Sequence, residues 1–405
     1  MIQRQTNRMD RGCRPLGGVL ASILLCATMT QGLARQRAAA SGQSSTVVQH
    51  VAPDGRSGYG YRRPSATPCL TTAQRAEIKA TIATNRRQLP GPATGIGPQL
   101  DLRFRWPLRV VGAAADEFGV HGISNFVDQD PAFPDELLDY NCGARTYDLA
   151  NGYNHRGIDF FTWPLAWTWM DQNAVQVVAA APGIIVARSD GNFDESCGFG
   201  GTWNAVYVEH ADGTVAWYGH LKAGSLTSKT VGEGVQIGEY LGVVGSSGSS
   251  TGPHLHFEVY DALNNLVDPF AGPCNGLPRR VRWLRQRPYY DSAINKLVVG
   301  VAPVEFPACP GRAVLNEASV IPTGATAYFT VFYRDQLLGQ TAQYRIRTPS
   351  GSVFRSWNHS SPAAHYSASY WNWSYFISAG VEQGLWSFEA IFEGQSYVQY
   401  FTVGS

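Results

Sequence analysis

From Leu102 onward, apolar and polar residues alternate in short runs broken by Gly, Pro, Asn and Asp, the period-two pattern of half-buried strands. Residues 175–186 read as a strand, an Ala-Pro-Gly turn and a second strand, and residues 204–220 as a hairpin turning at Asp212-Gly213. A further strand runs through 257–260, and Asp268-Pro269 ends that region. Helical signals are confined to one place. Thr71-Thr72 predicts the cap of a helix reaching about Gln88, with Ile78 and Ile82 on one face and Pro90 stopping it. After Gly311 about seven alternating runs fill the remaining chain, among them 328–333, 343–347, 386–392 and 397–403, a density that predicts an immunoglobulin-like β-sandwich. The expected fold is mainly β, with antiparallel sheets and one short N-terminal helix.

The N-terminus follows another pattern. Arg4, Arg8, Arg11 and Arg14 precede an apolar run over 16–29, and small residues follow through Ala34. Basic flank, short apolar stretch and small-residue exit predict a signal peptide over 1–34, too short in its apolar part to span a membrane. Pro182 and Gly183 break the longest later apolar run, so export without a membrane anchor is expected. Residues 35–100 read as a pro-segment or linker holding the one helix, 101–276 as the first β domain, 277–310 as an Arg/Pro-rich linker and 311–405 as the accessory sandwich.

Composition narrows the classes further. The chain has 405 residues, 44% hydrophobic, enough for a sizeable core. A net charge of +1 gives no case for nucleic-acid binding. Arg outnumbers Lys by 28 to 4, a skew that reads first as genome composition. The cluster between Arg279 and Arg287 fits solvation of the linker better than contact with anionic wall polymers. Past residue 34 remain Cys69, Cys142, Cys197, Cys274 and Cys309, which in an exported chain predict two structural bridges and one unpaired thiol, with connectivity open.

Five of the nine histidines lie between positions 155 and 256. His155-Arg-Gly-Ile-Asp159 is a His-x-x-x-Asp motif, and in an extended strand positions 155, 157 and 159 share a face. Gly157 between them has no side chain to obstruct what both groups approach. His254-Leu-His256 places two imidazoles on one side in the same way, and His220 ends the hairpin. Catalytic zinc takes three protein N/O ligands and leaves a position for water or substrate. Four histidines and one aspartate exceed that need by two, leaving two groups to move protons or hold negative charge. The residues alone leave open which three bind. His121 and His210 read as surface or turn residues, and His359 and His365 fall outside the constellation. Glu258 suits either the support of an imidazole or a cross-strand partner. The Gly/Ser-rich stretch 245–252 lacks a following Lys or helix, so it reads as a flexible groove wall rather than a phosphate cradle. The aromatics of the last domain, Trp371 and Trp373 among them, fit a sandwich core better than a sugar platform.

Over roughly 104–268 the chain resembles the lysostaphin-type, or LytM-like (β-lytic), zinc metallopeptidases that cut peptidoglycan peptides. The likeness rests on Phe-Arg-Trp-Pro-Leu at 104–108, His-Arg-Gly-Ile-Asp at 155–159, Val-Val-Ala-Ala-Ala-Pro-Gly at 177–183, Tyr-Gly-His-Leu at 218–221 and Gly-Ser-Ser-Thr-Gly-Pro-His-Leu-His-Phe-Glu at 248–258. The resemblance implies a fold like the duplicated hybrid motif, with His155, Asp159 and His256 as zinc ligands and His220 and His254 as the catalytic pair. It implies a secreted or periplasmic bacterial endopeptidase, acting as a monomer on cross-link or stem peptides of the wall. Insertions around Cys142 and over 191–202 depart from the pattern and bear on the width of the groove. A non-catalytic wall-binding or amidase-activating module is disfavoured because all five site residues are present; an endopeptidase acting on Gly-rich proteins keeps the chemistry and changes the substrate.

Overall fold

The computed structural model describes residues 68–89, 102–275 and 282–404, together with the backbone of strands Val47–Val51 and Ser57–Tyr61. The expected signal peptide lies outside the described residues. Among these, no helix is long and apolar enough to cross a membrane.

The chain is mainly β. A large sheet runs in the order Gly234–Val235, Gly183–Ser189, Ala205–His210, Val215–Gly219, His254–Tyr260, Ile158–Thr162, His121–Asn125, with Leu266–Val267 added beside His254–Tyr260. A three-stranded sheet of Tyr240–Val243, Val175–Val178 and Leu108–Val110 lies against it, so the two strands read on either side of Ala-Pro-Gly belong to different sheets. Phe160, Val177, Val206, Val208, Phe257 and Trp283 share the core of this half. The 205–219 hairpin forms as its turn predicts, with Gly213 at φ 80° and Asp212 accepting from Thr214 N.

The large sheet is covered on its other face too. Strand residues alternate in direction, so Val206 and Val208 enter the first core while Ala205 and Tyr207 face a second cluster with Trp203, Trp217 and Ile82. Ile82 comes from the helix Thr72–Gln88. Thr71 caps it, its side chain accepting from Gln74 N while the Gln74 side chain accepts from Thr71 N.

Two five-stranded sheets follow. One holds Val47–Val51, Ser57–Tyr61, His365–Ile377, Ala325–Leu337 and Ala293–Gly300; the other holds Val320–Pro322, Gln395–Gly404, Gly384–Phe392, Thr341–Arg347 and Val353–Ser360. Trp371 and Trp373 from the first meet Trp386 and Phe388 from the second in one core. Ala293–Gly300 and Trp283 lie within the stretch read as a linker, yet each is built into a core, because apolar residues between the Pro and Arg positions fill space on either side. Arg287 stacks its guanidinium 3.9 Å from the Trp106 ring centre, and Arg282 meets Asp212 at 3.1 Å. Disulfides join Cys142 to Cys274 and Cys197 to Cys309, leaving Cys69 buried and free.

Candidate metal centre

Three adjacent strands bring the motifs together. His254–Tyr260 pairs with Ile158–Thr162 in a register that sets His256 opposite Asp159. On its other side it pairs with Val215–Gly219, setting His256 opposite Gly219, and His220 follows directly. His220 adopts φ 62°, the left-handed region that L-residues seldom occupy and that clusters at functional sites. His155 departs from the expected strand. It lies before Ile158–Thr162 in irregular chain, fixed by its own N–H to Tyr147 O at 2.9 Å and by Asp128 N–H to its carbonyl at 2.8 Å. The imidazole nonetheless faces Asp159.

Each ring has one nitrogen committed to a fixed partner. Nδ1 of His155 donates to Phe126 O at 2.8 Å, Nδ1 of His220 to Ser247 O at 2.6 Å, and Nδ1 of His254 to Gly252 O at 2.9 Å. A carbonyl oxygen only accepts, so these three rings carry their hydrogen on Nδ1 and, when neutral, a lone pair on Nε2. His256 is reversed: Nε2 donates to Glu258 Oε1 at 2.8 Å, and Nδ1 lies 2.7 Å from Asp159 Oδ1. His155 Nε2 lies 3.1 Å from Asp159 Oδ2, and His254 Nε2 3.8 Å from Oδ1. Asn125 Nδ2 donates to Asp159 Oδ2 at 2.8 Å.

This donor set fits a cation. An imidazole lone pair and a carboxylate oxygen 2.7 Å apart repel unless a proton or a cation lies between them. His155 Nε2 and His220 Nε2 are buried with no sound hydrogen bond, which native interiors rarely tolerate. Electrostatics agree. Burial disfavours a charged His155, but Asp159 outweighs it and pushes the pKa up to about 9. Burial also opposes ionisation of Asp159, yet His155 and His256 hold it well below the usual carboxylate range. His220 instead is held below its ordinary value by burial and by His254. Positive charge is thus favoured at His155 beside Asp159 and disfavoured at His220.

The structure brings together all five residues singled out in the sequence and adds others. Glu258 is an imidazole's partner, and its own partners are Arg75, whose Nη2 donates to Oε1 at 2.9 Å, and Tyr260, whose hydroxyl donates to Oε2 at 2.7 Å. Burial works against an ionised Glu258, but Arg75 and His256 hold its pKa far below the usual range. The 245–252 stretch does line the groove, but its serines are buried and bonded. Ser247 Oγ donates to Leu221 O and Ser246 Oγ meets Ser250 Oγ, which fixes the carbonyls that orient His220 and His254. His210 is not a surface residue: it is fully buried, its Nδ1 donates to Pro182 O at 2.8 Å, and it packs on Phe104. His210 is the last residue of the strand Ala205–His210, opposite Gly183, and the turn begins only after it. Beside the cluster opens a cavity of about 260 Å³, whose lining includes Asp159, Trp167, His254, Phe306 and Cys309.

Residues 153–269 match the model of Peptidase family M23. Over 95 residues the chain is 38% identical to the DD-carboxypeptidase/endopeptidase Mpg of Neisseria meningitidis serogroup B, covering 24% of this chain and 21% of that protein. It is 36% identical over 118 residues to the glycyl-glycine endopeptidase ALE-1 of Staphylococcus capitis, covering 29% and 27%. Among solved structures, a variant catalytic domain of the prophage-encoded protein EnpA from Enterococcus faecalis is 25% identical, covering 36% of this chain and 96% of that one, with a TM-score of 0.22. The matched stretches span between about a fifth and about a quarter of the lengths of the two curated relatives. All five site residues, His155, Asp159, His220, His254 and His256, lie within the stretch that matches Peptidase family M23.

Proposed function

We propose that the protein is an exported zinc metalloendopeptidase that hydrolyses cross-link or stem peptides of bacterial peptidoglycan, with 1–34 as its signal peptide, 35–100 as a pro-segment and the C-terminal sandwich as an accessory domain. The observation that carries this reading is the convergence of unpartnered imidazole nitrogens on one buried carboxylate. His155 Nε2, Asp159 and His256 Nδ1 would hold the metal, an all-N/O set that suits zinc and leaves a position for substrate. When bound, zinc there supplies Lewis acidity, polarising the scissile carbonyl and acidifying the attacking water. His220 and His254 present Nε2 toward the same space, their rings 4.4 Å apart between centres. One accepts the water's proton; the other hydrogen-bonds the developing oxyanion or protonates the leaving amine. Both are oriented by backbone carbonyls, so neither reorganises during the reaction. The two curated relatives described above bear endopeptidase names, which supports the substrate class.

The test joins metal analysis of the purified protein with mass spectrometry of fragments released from purified sacculi. One zinc per chain and fragments cut at a peptide bond are expected. Binding to sacculi with intact peptides, even after the segment before residue 101 is removed, sinks the enzymatic reading in favour of a wall-binding module.

A further inference from the structure

We propose that Cys69 is a fourth protein ligand of the metal in the full chain, a thiolate that closes the position substrate needs and so keeps the peptidase latent. The inference rests on the metal-centre reading above and deepens it.

Cys69 is the unpaired cysteine among the described residues, and it is buried inside the site. Its Sγ lies 3.5 Å from His256 Nδ1 and 3.4 Å from the Tyr147 hydroxyl, whose ring stacks on His155. Donor atoms of Cys69, His155, Asp159 and His256 all lie within 4.8 Å of one another, and so do those of Cys69, His220 and His254. The sulfur is therefore common to the metal-ligand set and the catalytic pair. That shared space is where a scissile carbonyl must lie to reach both. Three protein ligands make an open, catalytic zinc site, whereas a fourth, and a thiolate above all, makes the closed site typical of structural zinc. The thiol's proton passes to solvent on ligation.

The chain on both sides of Cys69 is anchored. Downstream, Leu70 and Ile82 are buried against the sheet, Arg75 reaches Glu258 beneath His256, and Arg86 pairs with Glu209 at 2.6 Å. Upstream, Ser57–Tyr61 pairs with the strand His365–Ile377, setting Tyr59 opposite Tyr370. A segment tethered to both domains thus presents its sulfur at the centre of the site. These anchors are non-covalent, so the block is removed when the segment leaves or when the thiolate is capped.

Cobalt(II) loaded into the full chain tests this directly, because thiolate ligation adds a near-ultraviolet charge-transfer absorption that imidazole and carboxylate do not. The wild-type chain is expected to show it and Cys69→Ser to lack it, with one cobalt bound in each. Cys69→Ser is also expected to digest purified sacculi roughly tenfold faster or more, since a tethered ligand competes at a high effective concentration. Should Cys69→Ser fail to fold, loss of the wild-type band on capping the thiolate with an organomercurial, a sulfur–mercury bond replacing sulfur–cobalt, decides the question. A cobalt-loaded wild-type chain without the band overturns the thiolate ligand and leaves the metal centre standing. Failure of both chains to bind cobalt overturns both readings.

Discussion

His256 Nε2 donates to Glu258 Oε1 at 2.8 Å, two residues along the same strand. The bond turns the ring so that Nδ1, not Nε2, faces Asp159, and Arg75 and Tyr260 hold the carboxylate in place. Replacing a carboxylate that orients a ligating histidine typically weakens metal binding by roughly 10- to 100-fold. Glu258→Gln is expected to show that loss in a chelator competition titration. It also strips Arg75 of its buried counter-charge, which costs about 3–5 kcal/mol, so the melting temperature is expected to fall as well. Unchanged metal affinity would show the glutamate to be a packing partner only.

The five site residues are expected to separate into two classes. In the Cys69→Ser background, His155→Ala and His256→Ala should empty the metal site, because only two protein ligands then remain and two hold zinc poorly. His220→Ala and His254→Ala should stay folded and metal-replete while turnover falls by roughly 10²- to 10⁴-fold. Metal analysis beside a sacculus digestion assay separates them, and zinc loss from the His254 variant would reassign the ligands.

Gly157 leaves no room for a side chain. A Cβ there would lie 2.6 Å from both Cε1 and Nε2 of His256 and 3.0 Å from Phe257 O. Gly157→Ala is therefore expected to push His256 off Glu258, lowering metal affinity and costing about 1–3 kcal/mol of stability. Titration of metal into the variant, compared with its urea midpoint, measures both; a wild-type metal affinity would mean that the ring can move without penalty.

Asp268 lies away from the metal centre, in the segment that closes the first domain. Burial pushes its pKa up to about 8, despite hydrogen bonds from Phe270 N and Asn275, with Asp139 adding to the rise. A carboxyl raised in the folded state binds its proton more tightly there than in the unfolded chain. Its contribution to stability is therefore lost as pH rises from about 4 to about 8 and is level above that. Asp268→Asn removes the titration, and Gln129 can turn its amide to meet the new donor. Melting temperatures measured across that window should diverge, the variant gaining on the wild-type chain as pH rises.

Much of this protein was readable one segment at a time. Strand periodicity, the Asp212-Gly213 turn and the Thr71 cap are local signals, settled by a few residues and the backbone between them. His155, Asp159, His220, His254 and His256 were singled out from short motifs for the same reason, and period two does set His254 and His256 on one strand side by side, whereas His155 lies before the strand that holds Asp159. Long-range pairing decided the rest. Only the strand register sets Asp159 opposite His256, only the packing of its strand end against Phe104 buries His210, and only packing of the helix Thr72–Gln88 on the outer sheet face carries Arg75 to Glu258. Cysteine counting left one thiol over but could not place it, because the contact that brings Cys69 to His256 spans 187 positions. Spacing within a strand is a property of the backbone and is written in the sequence. Contact between distant segments is a property of how whole faces bury one another, and no single segment encodes it.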